Sequence, residues 1–355
     1  MSGMLGSYRR GLGLSVLGGL AANMLFSGVA SAHVKWFCAY DMTGSPRDLE
    51  MVLCADFEKL VGLSLAGLLL GCFAEWSLLG EPLTRALDRA TSWVRANIDV
   101  LFRGTAAFFL ISAWNVGGVI LTPELKTDLG FVSWIQLAMA ACLMWRITMP
   151  LTSLGIVGLF AYALTKYGAF HLADYPVFLG VAAYLALTGL GRHFMGVRPL
   201  DILRWTASIT LMWASIEKWA YPEWSFPLLD AKPQMSFGFG SETFMIAAGA
   251  VEFVLAFALV WTPLVRRAAA AVLIGIFVSA VFEFGKIDAI GHALIVVALL
   301  AILADDAKAP VRVRHMAMAP FAYASALAFF LFIYYGAHDA VYGVLASIAG
   351  NTAFN

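Results

Sequence analysis

About ten apolar runs, most close to the twenty residues that cross a ~30 Å hydrocarbon core, succeed one another along this chain. Inside a bilayer each such run must satisfy its own backbone polar groups, so the chain is held to helices. The runs fall near residues 59 to 79, 98 to 122, 131 to 148, 150 to 166, 175 to 191, 202 to 221, 243 to 263, 267 to 284, 288 to 304 and 317 to 336. The loops between them alternate in charge. Arg85, Arg89 and Arg95, then Arg192, Arg198 and Arg204, then Arg266 and Arg267, then Lys308, Arg312 and Arg314 share one side, which their charge makes cytoplasmic. The intervening loops (Pro123 to Gly130, Tyr167 to Tyr175, Tyr221 to Glu242, Gly285 to Asp288) and the tail after Gly336 carry few cations and face outside. With 61% hydrophobic and 13% charged residues, the chain is too apolar for an ordinary water-facing surface, and its zero net charge carries no information about partners. The reading is an all-α, polytopic transmembrane bundle of a bacterial-type inner membrane, with the mature N-terminus and the C-terminus outside.

The first residues have the order of a secretory signal peptide: Arg9 and Arg10, an apolar stretch from Gly11 to Val29, then Ala30-Ser31-Ala32. Residues 1–32 are expected to be removed, the alternative being an uncleaved anchor helix. Residues 33–58 then form an extracytoplasmic segment in an oxidising compartment, where Cys38 and Cys54 are expected to close a disulfide. Cys72 and Cys142 lie in spans and read as packing residues. Cleavage after Ala32 would leave His33 with a free α-amine beside its imidazole, a copper-chelating pair that His171 or His338 on the same side could complete. Residues 59–97 hold the first span and a stretch from Gly80 to Asn97 in which Leu83, Leu87, Trp93 and Val94 accompany Arg85, Arg89 and Arg95. That stretch is either an amphipathic helix on the cytoplasmic leaflet or an ordinary connection.

An internal repeat divides the chain from residue 98 onward. Arg103-Gly-Thr-Ala-Ala is answered by Arg204-Trp-Thr-Ala-Ser at the start of a span, and Ala173-Asp174-Tyr175 by Ile287-Asp288-Ala289 before a fourth span. Residues 98–191 and 202–304 therefore read as two four-helix modules of the same orientation, related by an axis along the membrane normal. One further span, with its outer tail, occupies residues 317–355.

The second module carries the ionisable residues. Its first span ends with Glu217 and Lys218, its second contains Glu252, its third ends with Glu283, and Lys286 and Asp288 precede His292 in the fourth. Ionisable groups inside spans cost on the order of 2.5 to 3.5 kcal/mol each, so they turn to the bundle interior and pair. Glu252 lies about nine residues, or roughly 13 Å, from its outer helix end. His292 comes one helical turn after Asp288 and shares its face. Lys218 with Glu252 is either part of a site or an interhelical tie. Nearby Trp213, Trp219, Tyr221, Trp224 and Phe226 read as an interfacial belt.

In these motifs the sequence resembles the DoxX-like family of membrane proteins: an early helix ending in a lysine element (Lys218), a glutamate inside the second helix (Glu252) and an Asp-x-x-x-His entry to the fourth (Asp288, His292). The resemblance covers about residues 202 to 304 and, more loosely, 98 to 191. The first module departs from it, with Asn115-Val116-Gly117-Gly118 in place of the lysine element, Gln136 in place of the glutamate and Phe178 in place of the histidine. The resemblance implies two tandem DoxX-like modules and a role in an envelope redox system, a quinone-linked electron-transfer component with Glu217, Lys218, Glu252, Glu283, Asp288 and His292 as its functional residues. Membrane lipid and a redox-enzyme subunit are the expected partners. Two readings of other classes stand beside it: a proton-coupled transporter or permease, and a non-catalytic assembly or metal-delivery subunit. The chain has no phosphate-cradling glycine loop, no nucleophile elbow and no basic patch outside the cytoplasmic loops, which argues against an ATP-driven pump or a nucleic-acid binder.

Overall fold

The computed structural model describes residues 34–307 and 312–343. The expected signal peptide, His33 and Lys308 lie outside the described residues. Within them the chain is helical throughout, without a β-strand. Eleven helices carry the architecture: α1 (Ala55–Trp76), α2 (Gly80–Ala90), α3 (Ser92–Val116), α4 (Phe131–Cys142), α5 (Met149–Leu172), α6 (Pro176–Leu190), α7 (Pro199–Ala220), α8 (Ser241–Ala258), α9 (Pro263–Phe284), α10 (Lys286–Ala304) and α11 (Val313–His338).

Seven of these elements are long and apolar enough to cross a membrane: α1, α3, α5, α8, α9, α10 and α11. The others depart from the expected spans for local reasons. The apolar run from 131 to 148 yields only the 12 residues of α4, because the chain leaves the helix after Cys142 and re-enters near Pro150 as α5. α6 has 15 residues and ends where Gly191 adopts a left-handed conformation at φ 63°. α7 has 22 residues but includes Asp201, Arg204, Glu217 and Lys218. The amphipathic stretch becomes α2, which gives way to α3 at Thr91.

Helices α3 to α10 pack in chain order, each against the next, and α10 closes the ring by packing on α3. Two of its seams are equivalent in the expected sequence repeat: α6 meets α7 and α10 meets α3, each the fourth helix of one set against the first of the other. α1 and α11 lie outside this ring, α1 against α8, α9 and α11, and α11 against α1, α7 and α8. Two large apolar cores result, beside a small cluster around Leu229, Met235 and Phe244. One joins α3 to α6 with α10 through Phe102, Phe109, Met149, Val181 and Leu294; the other joins α1, α7 to α9 and α11 through Phe57, Trp219, Phe253, Leu273 and Tyr323.

The two ends of the bundle differ. At one, Asp305 receives Arg198 at 3.0 Å and Arg266 at 2.8 Å, Arg267 pairs with Asp88 at 2.7 Å, and Arg95 pairs with Asp306, so the arginine-rich loops meet. Burial alone would push the Asp305 carboxyl up, but the hydrogen bonds and charges of Arg198 and Arg266 outweigh it and hold the carboxyl below its ordinary value. At the other end, residues 34–48 fold back over the bundle and close its mouth.

Candidate functional site

That closing segment begins with a single helical turn, Val34–Trp36, and is otherwise irregular up to Asp48. Its anchor is Lys35. The ammonium lies 2.6 Å from Oδ2 of Asp174, just before α6, and 2.6 Å from Oε1 of Glu217 near the end of α7. It also sits 5.7 Å from the ring of Tyr40 and 5.9 Å from that of Trp224. Burial alone would depress the Lys35 pKa, but Asp174, Glu217 and Glu124 reverse this and hold it above the ordinary lysine value. The aromatic residues of the segment pack beside this anchor: Trp36 on His292 at 4.7 Å between ring centroids, Phe37 on Phe284 at 5.0 Å, and Tyr40 on Trp224 at 5.7 Å. Further along, the amide of Arg47 donates to the carbonyl of Ala220, and the hydroxyls of Tyr221 and Tyr335 donate to the carbonyls of Gly44 and Arg47, each at 2.8 Å.

Beneath Trp36 is a cavity with about 70 Å³ of water-accessible space. One water needs only about 10 to 15 Å³ by the same kind of measure, so several polar atoms of a ligand fit. The polar lining comes from Lys218 on α7, Glu252 on α8, His292 on α10, Asp174, and Thr122 in the loop after α3; Phe178, Leu211, Phe277 and Ile295 supply apolar walls. Lys218 and Glu252 stand 2.7 Å apart, and Nδ1 of His292 is 3.0 Å from Oδ2 of Asp288, a turn earlier on the same helix. The Asp288 bond occupies one imidazole nitrogen and leaves Nε2 for the cavity. Oγ1 of Thr122 is buried and makes no hydrogen bond among the described residues.

Of the residues singled out in the sequence, Lys218, Glu252 and His292 converge on this cavity, with Asp288 behind His292. Glu217 turns instead to Lys35. Glu283 does not line the cavity; it pairs with Lys232 at 2.6 Å in the loop region before α8. The expected Cys38–Cys54 bridge is not formed. Both are free thiols: Cys38 lies against the backbone of Leu228, and Cys54 precedes the first turn of α1. No set of three His, Cys, Asp or Glu side chains is placed to hold a metal ion among the described residues, and the copper reading rests on His33 outside them.

The structure adds groups that the sequence does not single out. Asp174 lines the cavity and pairs with Lys35 of the closing segment. Glu124 accepts a hydrogen bond from the hydroxyl of Tyr175 at 2.5 Å and lies 2.8 Å from Nε2 of His171, so a second acid and imidazole pair stands beside the first. Asp174 has one signal in the sequence, its place opposite Asp288 in the repeat.

Comparison with known proteins adds nothing to this geometry: no family model, no curated protein and no solved structure matches the chain.

Proposed function

We propose that the chain is a multi-pass inner-membrane component of an envelope redox system, built from two DoxX-like four-helix modules, and that its cavity binds a quinone. One observation carries the reading: a cavity with apolar and aromatic walls meets Lys218, Glu252 and His292 at one end of the helix ring. Small-molecule sites combine such walls with a few convergent polar groups. The residues suit the group. Lys218 and His292 can donate to a ring oxygen, Thr122 has an unengaged hydroxyl, and Glu252 can hold or release a proton. A quinone bound there would accept electrons from a partner redox subunit. Lys218 and His292 orient the ring edge, Glu252 and the Asp288–His292 pair move protons to it, and the closing segment excludes water. The ring closure through α6–α7 and α10–α3 supports the tandem modules, and the charge of the loops supports ten spans with the closed mouth outside.

The test is binding of a short-chain benzoquinone to the purified full-length protein, measured by calorimetry. Saturable binding near one equivalent, weakened at least tenfold in Lys218→Met and His292→Phe, is the expected result. No saturable binding to the folded protein removes the reading.

A second reading, proton-coupled transport, draws on backbone breaks. α5 is interrupted at Gly168, at φ 82° and ψ 165°, and the corresponding end of α9 turns at Gly285, at φ 73°. Paired interruptions at matching places in two repeats are a feature of transporters. Proton flux in liposomes carrying the protein tests it.

A further inference from the structure

Gly291 gives the cavity an unusual wall. A Cβ placed there would stand 2.0, 2.2 and 2.5 Å from the Cη2, Cζ3 and Cζ2 atoms of Trp36, so the six-membered ring of the indole lies directly on bare helix backbone. The His292 ring stands 4.7 Å from that of Trp36 and is backed by Phe277 at 4.6 Å. Gly291 and His292 line the same cavity as Lys218, Glu252 and Thr122, with the His292 ring tilted 50° to the indole. Trp36 itself is only partly buried.

The turn that carries the indole is fastened through the Lys35 side chain rather than through its backbone. Its backbone bonds run to Val34 within the turn, and the first backbone–backbone hydrogen bond from the segment to the bundle comes at Arg47. Upstream of that point it is attached by the Lys35 ion pairs and, further along, by the side chains of Tyr221 and His338, which meet the carbonyls of Gly44 and Met42. The indole can therefore swing off Gly291 about its own side-chain torsions while the Lys35 ion pairs stay in place.

We infer that Trp36 is a tethered occupant of a ring seat formed by Gly291 and His292, and that a flat conjugated ligand of the quinone class binds by displacing it. This rests on the proposed quinone site and adds where the ring lies and what guards it. The edge oxygens of such a ring face Lys218 and the free nitrogen of His292, while the turn at Val34–Trp36 acts as a competing internal ligand. A short tether presents its group at an effective concentration on the order of mM, so any external ring loses apparent affinity to this competition.

The experiment uses the full-length protein in detergent with two probes, free indole and a short-chain benzoquinone. Trp36→Ala opens the seat. Free indole is then expected to raise its melting temperature saturably while leaving the parent protein unmoved, and the benzoquinone is expected to displace the indole and to bind at least tenfold more tightly than to the parent. Indole binding without quinone competition would keep the seat and overturn the quinone class. Failure of both probes on folded Trp36→Ala would overturn the seat. If that variant does not fold, Trp36→Phe retains a smaller ring: a severalfold gain in benzoquinone affinity supports the displaced-indole model, and an unchanged affinity overturns it.

Discussion

Lys35 and Asp174 are 139 residues apart in sequence and 2.6 Å apart in the structure. With Glu217 as a second partner, Lys35 fastens an irregular N-terminal segment to both halves of the helix ring, since Asp174 precedes α6 and Glu217 lies on α7. Removing one member of a buried ion pair leaves an uncompensated charge and typically costs about 3 to 5 kcal/mol. Lys35→Met is therefore expected to lose stability on that scale and to expose residues 34–48 to protease. Adding Asp174→Asn and Glu217→Gln should restore part of the loss. A triple variant no more stable than the single one would show that the carboxylates do not act through Lys35.

The arginine network around Asp305 gives a pH signature. Asp305 is held below its ordinary pKa in the folded protein, so its contribution is complete above the unfolded value of about 3.9 and is lost as pH falls through the lower folded value. Asp305→Asn should cost about 2 kcal/mol at neutral pH, the range of hydrogen bonds to charged groups. The gap in thermal stability between the parent and Asp305→Asn should hold from pH 7 to about 5 and narrow below about 4. A gap independent of pH down to 3 would assign the loss to packing. Lys35 has the opposite sign: its raised pKa keeps its contribution intact below about 10.4 and weakens it only above.

Lys218 and Glu252 can be separated from a merely structural tie. At 2.7 Å the pair joins α7 to α8, and each side chain retains some accessible surface. Lys218→Met leaves a mostly buried carboxylate without its cation, whereas Lys218→Met with Glu252→Gln removes both charges. If the pair only ties helices, the double variant should regain most of the parent stability, and any quinone bound should be held as before. If the pair serves the cavity, stability should recover and benzoquinone affinity should remain at least tenfold down. Melting temperature and calorimetry on the same samples distinguish the two.

How much the sequence shows in advance depends on the range of the physics involved. Asp288 with His292 is visible because one helical turn separates them, and Lys218 with Glu252 because charge inside an apolar run needs a partner. Lys35 is different. It stands in a polar segment with no period, where nothing distinguishes a solvated lysine from a buried one, and its partners are set by how the ring closes. The pairing of Glu124 with His171 is hidden for the same reason: the two belong to separate loop regions of the sequence until the fold brings them to 2.8 Å. Helix lengths fail where apolar composition continues past a backbone break, as after Cys142. Glu283 groups with the cavity residues by its position near a helix end, but it meets Lys232, whose place depends on an irregular loop.

Gly291 offers a test whose sign depends on Trp36. It lies inside α10, where glycine is about 0.8 to 1 kcal/mol less favourable than alanine for helix formation alone. With Trp36 in place, however, the new methyl would meet the indole ring at 2.0 Å, and the ring is held by the Lys35 anchor next to it. Gly291→Ala is therefore expected to destabilise the parent and loosen the closing segment, increasing its proteolysis. In a Trp36→Ala background the obstruction is gone, and the same substitution should stabilise by up to about 1 kcal/mol. A double-mutant cycle from melts of the four proteins gives the coupling between the two sites. Coupling with that reversal of sign assigns Gly291 to the seat under Trp36; additive effects would mean that the indole does not rest there in the folded protein.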